Sequence, residues 1–322
     1  MKLGYLYGGK LKGSVDLGTD PYTGLPSTFT APGGFIGPTA SFGTFYYADA
    51  VNGNDAKDGR SPATAKKTLT ATVALCVAGK GDIVVIVGEF NDSGNVTLNK
   101  EKMKLIGICD PWQQSYLSRI NPGALATSGT LLITAKDIEV AYMQVSGHRD
   151  PGFHYPAIYT NATPPLAGTR SYIHDVVIPG LTPDGTHYCD GIHLVGDRHT
   201  VVRALIENSQ VGIKIDEEGG VTTYRIVVED IQMRACDVGV DVAAVSEAEP
   251  GRHGVIGKRL DIDAFGALAE TRGIRVQGLG GHPYFRNCFI AGYTTAITKG
   301  SARWIECYHD AAGGTLIDPA AY

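Results

Sequence analysis

Gly191-Ile192-His193-Leu194 returns as Gly212-Ile213-Lys214-Ile215, Gly239-Val240-Asp241-Val242, Gly273-Ile274-Arg275-Val276 and, in weaker form, Ala296-Ile297-Thr298-Lys299. The phrase is a small residue, an aliphatic, a variable residue, then an aliphatic or its replacement. Its intervals of 21, 27, 34 and 23 residues are too uneven for helical repeats, but they suit coils joined by loops of different length. Side chains alternate faces along a strand, so each copy places two aliphatics inward around one outward residue. Stacked copies of so short a strand predict an all-β, single-stranded parallel β-helix, a solenoid whose units are stable only against one another.

Working back from the repeat, further strands are expected at Asp82 to Val87, Val96 to Leu98, Met103 to Gly107, Leu131 to Ile133, Ile138 to Met143 and Ile173 to Ile178. After Gly191 each coil is expected to gain a second strand, at Val201 to Ile206, Tyr224 to Val228, Tyr284 to Cys288 and Arg303 to Cys307. Asn208, Asp237 and Asn287 stand near the ends of these strands, where Asx side chains satisfy backbone donors at bends. Ser61 followed by Pro62 is an N-cap signal, and small and apolar residues to about Val77 predict a short helix closing the open end of the stack.

Residues 1–43 stand apart, rich in Gly and Pro and without a hydrophobic period. They read as an extended arm, expected to lie along a partner or a second copy, with the β-helix occupying 44–322. A chain of 322 residues with 42 glycines and 19% charged residues fits a turn-rich β protein. A net charge of −5 argues against nucleic acid as a partner. No apolar run is long enough for membrane insertion, and the start lacks an export signal, so synthesis in a cytoplasm is expected. Six cysteines without CxxC spacing read as reduced core thiols.

The stretch Tyr47-Ala48-Asp49, Asn52-Gly53-Asn54-Asp55, Asp58-Gly59 and Ser61-Pro62-Ala63-Thr64-Ala65 resembles the opening segment of right-handed parallel β-helix proteins of the pectate-lyase-like type. Such segments are frequent in bacteriophage tailspikes and other virion proteins, and in secreted polysaccharide-active enzymes. The resemblance implies a right-handed helix of three faces over residues 45 to 310, often a homotrimer in phage proteins. The superfold carries enzymes and inert proteins alike, so chemistry has to be argued from residues.

The densest polar cluster runs from Asp184 through Asp190 and His193 to His199. Asp190-Gly191-Ile192 resembles an Asp-Gly-Ile turn of β-helix glycosidases, which carry paired acids one coil on; here Asp216 and Glu217 follow the next repeat. Two carboxylates about 5 to 9.5 Å apart can cleave a sugar linkage by acid/base chemistry. Asp190 precedes its glycine while Asp216 follows its Ile215, which leaves open whether the two share a face. The outward residues Lys214, Asp241 and Arg275 could supply a lyase base and ligand, or form a solvated ladder of opposite charges. Asp49, Asn54, Asp55 and Asp58 resemble a calcium loop but fail EF-hand spacing and also serve as turn formers; no metal or cofactor is expected.

Two functions follow. One is a non-catalytic virion block, a homotrimer held to a phage capsid or tail by residues 1–43; the missing export signal and a chain stopping soon after its last coil favour it. The other is a tailspike depolymerase cleaving host surface polysaccharide. A secreted lyase is disfavoured by the missing export signal.

Overall fold

The computed structural model describes residues 43–108, 117–123, 129–147, 155–161, 170–180, 189–217, 223, 225–243, 254–264, 272–277, 283–293, 295–298, 302–309 and 315–316. The expected arm lies outside them except for Gly43, as do Asp184 to Tyr188 of the acidic cluster. Among the described residues, strands form an eight-stranded and a fourteen-stranded sheet. Pairing is parallel throughout except between Tyr308–His309 and Thr315–Leu316 at the end. Each strand pairs with its equivalent one coil later, so the chain winds as a parallel β-helix. No helix among the described residues is long and apolar enough to cross a membrane.

The eight-stranded sheet is the quoted repeat, and it begins earlier than the glycines suggest, at Val96–Leu98, Leu131–Ile133 and Ile158–Thr160. Its inward residues form two columns, one through Leu131, Ile158, Ile192, Ile213, Val240 and Ile274, the other through Ile133, Thr160, Leu194, Ile215, Val242 and Val276. These side chains are buried, and each fully buried Val, Leu or Ile stabilises the stack by about 1.5–3 kcal/mol.

The repeated glycine is required by close approach between coils. A Cβ on Gly191 would lie 2.5 Å from the carbonyl oxygen of Gly212, and one on Gly239 would lie 2.5 Å from that of Gly273. Gly239→Ala is therefore expected to cost about 1–3 kcal/mol. Gly94→Ala, where an added Cβ meets nothing within 4 Å, should be neutral or slightly stabilising. Equal melting temperatures for the two variants would remove close approach as the reason for the repeat.

The fourteen-stranded sheet holds the second strand of each coil. It is not confined to the coils after Gly191: Ile138–Val145 and Ser171–Pro179 already belong to it. Its long strands carry a bend that local pattern reading missed. In Ile226–Arg234, Ile226, Val228, Ile231 and Met233 face inward, so the alternation slips by one at Glu229-Asp230. The slip recurs at Lys258-Arg259 in Val255–Asp263. At each slip one residue is left-handed: Tyr142, Asp175, Arg203, Asp230, Arg259, Asn287 and Glu306 have φ between 49° and 59°. One such residue turns the strand from one face to the next while its neighbours stay paired. Stacked in register, several of these residues pair by charge, with Arg203 on Asp175 at 2.8 and 2.6 Å and Arg259 on Asp230 at 2.8 Å.

The expected helix from Ser61 to about Val77 is instead two short pieces. Ser61 caps a 3-10 turn, Pro62–Thr64, in a capping box with Thr64, and Thr68 caps the α-helix Leu69–Val73. Between them Lys66 pairs with Ala48 as a β-bridge, which interrupts the helix. Leu69 and Val73 cover the end of the core, while Asp92 accepts from Thr70 N and Oγ1 at 2.8 and 2.7 Å. The five described cysteines are all buried and unbonded.

Candidate functional site

The outward column of the eight-stranded sheet runs Tyr159, His193, Lys214, Asp241, Arg275 in strict register. The alternation of Lys214, Asp241 and Arg275 is present, but it is only partly solvated: Lys214 and Arg275 keep some exposure, while His193 is 5% exposed and Asp241 2%. Neighbouring strands only ~4.8 Å apart let long side chains fold onto one another. The Tyr159 ring stacks on His193 at 5.0 Å. Arg275 Nε donates to Asp241 Oδ1 at 2.8 Å, its Nη2 contacts Oδ2, and Gln277 Nε2 donates at 3.0 Å. Tyr159 escaped the sequence reading although Ala157-Ile158-Tyr159-Thr160 matches the repeat with alanine in the glycine position.

Asp216 lies beside this column. His193 Nε2 is 2.9 Å from its Oδ1 and Lys214 Nζ 3.0 Å from its Oδ2. Burial alone would raise its proton affinity, but the hydrogen bonds and charges of His193 and Lys214 outweigh burial and hold the carboxyl below its ordinary value. Asp190 is the opposite case. It is buried, 9% exposed, and burial raises its pKa; His193 and Lys214 pull against this, while Asp241 and Asp216 push the same way as burial. His193 and Lys214, which hold Asp216 ionised, thus also act on Asp190 through their charge. Two carboxyls whose proton affinities move in opposite directions under the charges of the same His193 and Lys214 are the starting point that acid/base chemistry needs.

Glu217 has a different task. Its Oε1 accepts from Thr223 N at 3.3 Å, and Thr223 Oγ1 donates to Asp216 O at 2.6 Å while accepting from Gly196 N at 2.9 Å. The three contacts hold Thr223 against Asp216, Glu217 and Gly196.

The acids of the opening segment are turn formers. Asp49 accepts from Val51 N and Asn52 N, Asn54 from Ala56 N, Asp58 from Arg60 N, and Asp55 from Lys67 N and Thr68 N. Lys66 Nζ donates to the carbonyls of Asp55 and Lys57, each at 2.6 Å. A tethered ammonium thus sits against two backbone carbonyls of the same segment. Among the described residues no group of three His, Cys, Asp or Glu side chains is arranged to hold a metal ion.

A second buried polar cluster, absent from the sequence reading, lies at the strand bends. His174 Nδ1 is 2.7 Å from Asp175 Oδ2 and its Nε2 3.2 Å from Glu139 Oε1; Lys104 and Arg203 close the two ends. Both carboxylates and both cations are mutually engaged, which gives the cluster a structural role.

No known family pattern and no curated protein sequence matches the chain. Solved structures do. A pectin methylesterase from Erwinia chrysanthemi is 13% identical, with 85% of this chain and 91% of that one aligned at a TM-score of 0.56. A lacto-N-biosidase from Eubacterium ramulus is 12% identical over 82% of this chain and 56% of its own, at 0.64. A rhamnogalacturonan lyase is 12% identical over 82% and 73%, at 0.57. These are right-handed parallel β-helix proteins, and the likeness makes that the fold of this chain.

Proposed function

We propose that this protein is a β-helical depolymerase that binds an extended surface polysaccharide along its eight-stranded face and hydrolyses it with Asp190 and Asp216. Asp190, as a carboxylic acid, protonates the glycosidic oxygen as the bond to the anomeric carbon breaks. Asp216 takes a proton from the water that attacks that carbon. His193 and Lys214 keep Asp216 ionised, and Tyr159 holds the His193 ring. The observation carrying the reading is that His193 and Lys214 of the outward column hold Asp216 at 2.9 and 3.0 Å, while burial shifts the nearby Asp190 in the opposite direction. The carbohydrate-active names of the structural neighbours support it as analogy.

A second reading is a non-catalytic virion block, a homotrimer fixed to a capsid or tail through residues 1–43. The charge ladder at the strand bends favours it, because such internal pairing serves rigidity.

The test is incubation with capsule or lipopolysaccharide of candidate hosts, scoring new reducing ends. Products are expected from the wild type and not from Asp190→Asn or Asp216→Asn, with the rate falling as rising pH strips the proton from Asp190. Products from both variants at the wild-type rate would defeat the depolymerase reading. Absence of products from every substrate, with loss of particle binding on deletion of residues 1–43, would establish the virion block.

A further inference from the structure

The last described coils hold a reactive pair far from the carboxylates in sequence. Arg286 is in register with Ile305 and Phe289 with Tyr308, which stacks Cys288 directly against Cys307. Tyr308 N donates to Cys288 O at 2.8 Å and fixes that register. Both side chains point into the core, 1% and 0% exposed. Each thiol donates back to the carbonyl two residues earlier, Cys288 to Arg286 O at 3.5 Å and Cys307 to Ile305 O at 3.4 Å. The two side chains therefore share an orientation and contact each other.

Adjacent coils ~4.8 Å apart fall within the Cα separations that disulfides span, about 4.4–6.8 Å. Bonding needs the Cβ atoms to approach by a few tenths of an ångström, on the order of what short strands can give. The strands concerned, Arg303–Ile305 and Tyr308–His309, are three and two residues long. We propose that Cys288 and Cys307 are an oxidisable pair that closes to an inter-coil disulfide in the presence of a small disulfide such as oxidised glutathione, stapling these two neighbouring coils together.

Local opening of the coil that carries Cys307 admits the oxidant. The Cys307 thiolate attacks one glutathione sulfur and releases a glutathione thiolate, leaving a mixed disulfide. Cys288 then loses its proton to solvent and its sulfur displaces the second glutathione thiolate. Two protein thiols are oxidised and one glutathione disulfide is reduced to two thiols. The order follows from the contact between the two sulfurs, which lowers the proton affinity of Cys307 and raises that of Cys288. Cys76, Cys189 and Cys236 are pushed up to about 12 by burial and stay thiols.

The full chain, equilibrated with reduced or oxidised glutathione, is denatured in acid, alkylated and weighed. All six thiols should be alkylated after reduction. After oxidation two should be lost, with a peptide linking Cys288 to Cys307, a higher melting temperature and slower amide exchange in Arg303–Ile305. Cys76→Ser should leave the link intact, and Cys307→Ser should abolish it. Six alkylated thiols after oxidation, a glutathione adduct without the link, or a link between other cysteines would each overturn the proposal.

Discussion

Replacing Trp304 with alanine is expected to cost about 3–5 kcal/mol and to unravel the C-terminal coils before the rest of the rod. Trp304 is fully buried, and its ring stacks on Phe285 at 4.7 Å with 17° between planes. Both stand in an inward column that reads Val140, Ile173, Val201, Val228, Gly257, Phe285, Trp304 up successive coils. Gly257 leaves space for the ring above it: a Cβ there would lie 2.4 Å from Phe285 Cδ1. Because each coil touches only its neighbours, the lost contacts are concentrated at one end. Hydrogen exchange should accelerate in Tyr284–Arg286 and Arg303–Ile305 while Val211–Ile215 keeps its protection.

Trp304→Phe separates volume from polarity. The indole N–H has no hydrogen-bond partner among the described residues, and an unsatisfied buried donor costs about 1–3 kcal/mol. Phenylalanine removes that cost and leaves a smaller cavity, so its melting temperature should lie near the wild type and well above Trp304→Ala. Equal losses for the two variants would show that the indole edge, and not ring stacking, holds the end of the rod.

Stability should fall on both sides of neutrality, with a different histidine responsible for each limb. His199 is fully buried; its Nε2 faces Val195 O at 3.0 Å and its Nδ1 lies 2.7 Å from Ser171 Oγ. The Nε2 proton therefore goes to the carbonyl, and Nδ1 accepts from the serine hydroxyl. Burial pushes its pKa down to about 4. Between the ordinary value near 6.5 and 4 the unfolded chain binds a proton that the fold refuses. Stability present above pH 6.5 is lost as pH falls through this window, by about 3 kcal/mol in total.

His174 has the opposite sign. Burial disfavours its charge, but Asp175 and Glu139 outweigh burial and raise its pKa. Its ring is packed by Tyr142 and Tyr172, and Lys104 and Arg203 hold the two carboxylates from either side. An imidazolium can donate to both acids, whereas a neutral ring turns a lone pair toward one of them. Its contribution is complete below pH 6.5 and is lost as pH rises through the raised folded value. Urea melts across pH should show a flattened acid limb for His199→Gln and a flattened alkaline limb for His174→Gln. An unchanged acid limb between pH 6.5 and 4 in His199→Gln would show that His199 does not set it, since carboxylates of lowered proton affinity such as Glu139, Asp175 and Asp216 lose their contribution only at lower pH.

The candidate site was half legible in the sequence. Asp190, His193 and Asp216 were readable as chemistry-bearing residues because they flank the repeat, yet their order along the chain could not decide whether they share a face. Glu217 reads as a second acid in sequence and accepts from Thr223 N in the structure, since which donor a carboxylate meets depends on tertiary placement. His174 passed as an ordinary strand residue, because its partner Glu139 lies a full coil away.

The sequence by itself determined the inward columns. Alternation along a strand is a local property, and a solenoid pairs each strand with the next copy of the same pattern, so local phase becomes global register. Only the tertiary structure decided the strand bends, the covering of the outward charges and the opposite proton affinities of Asp190 and Asp216. These depend on which side chains meet across ~4.8 Å between coils and on how much water remains beside them. Neither quantity is written in the spacing of residues along the chain.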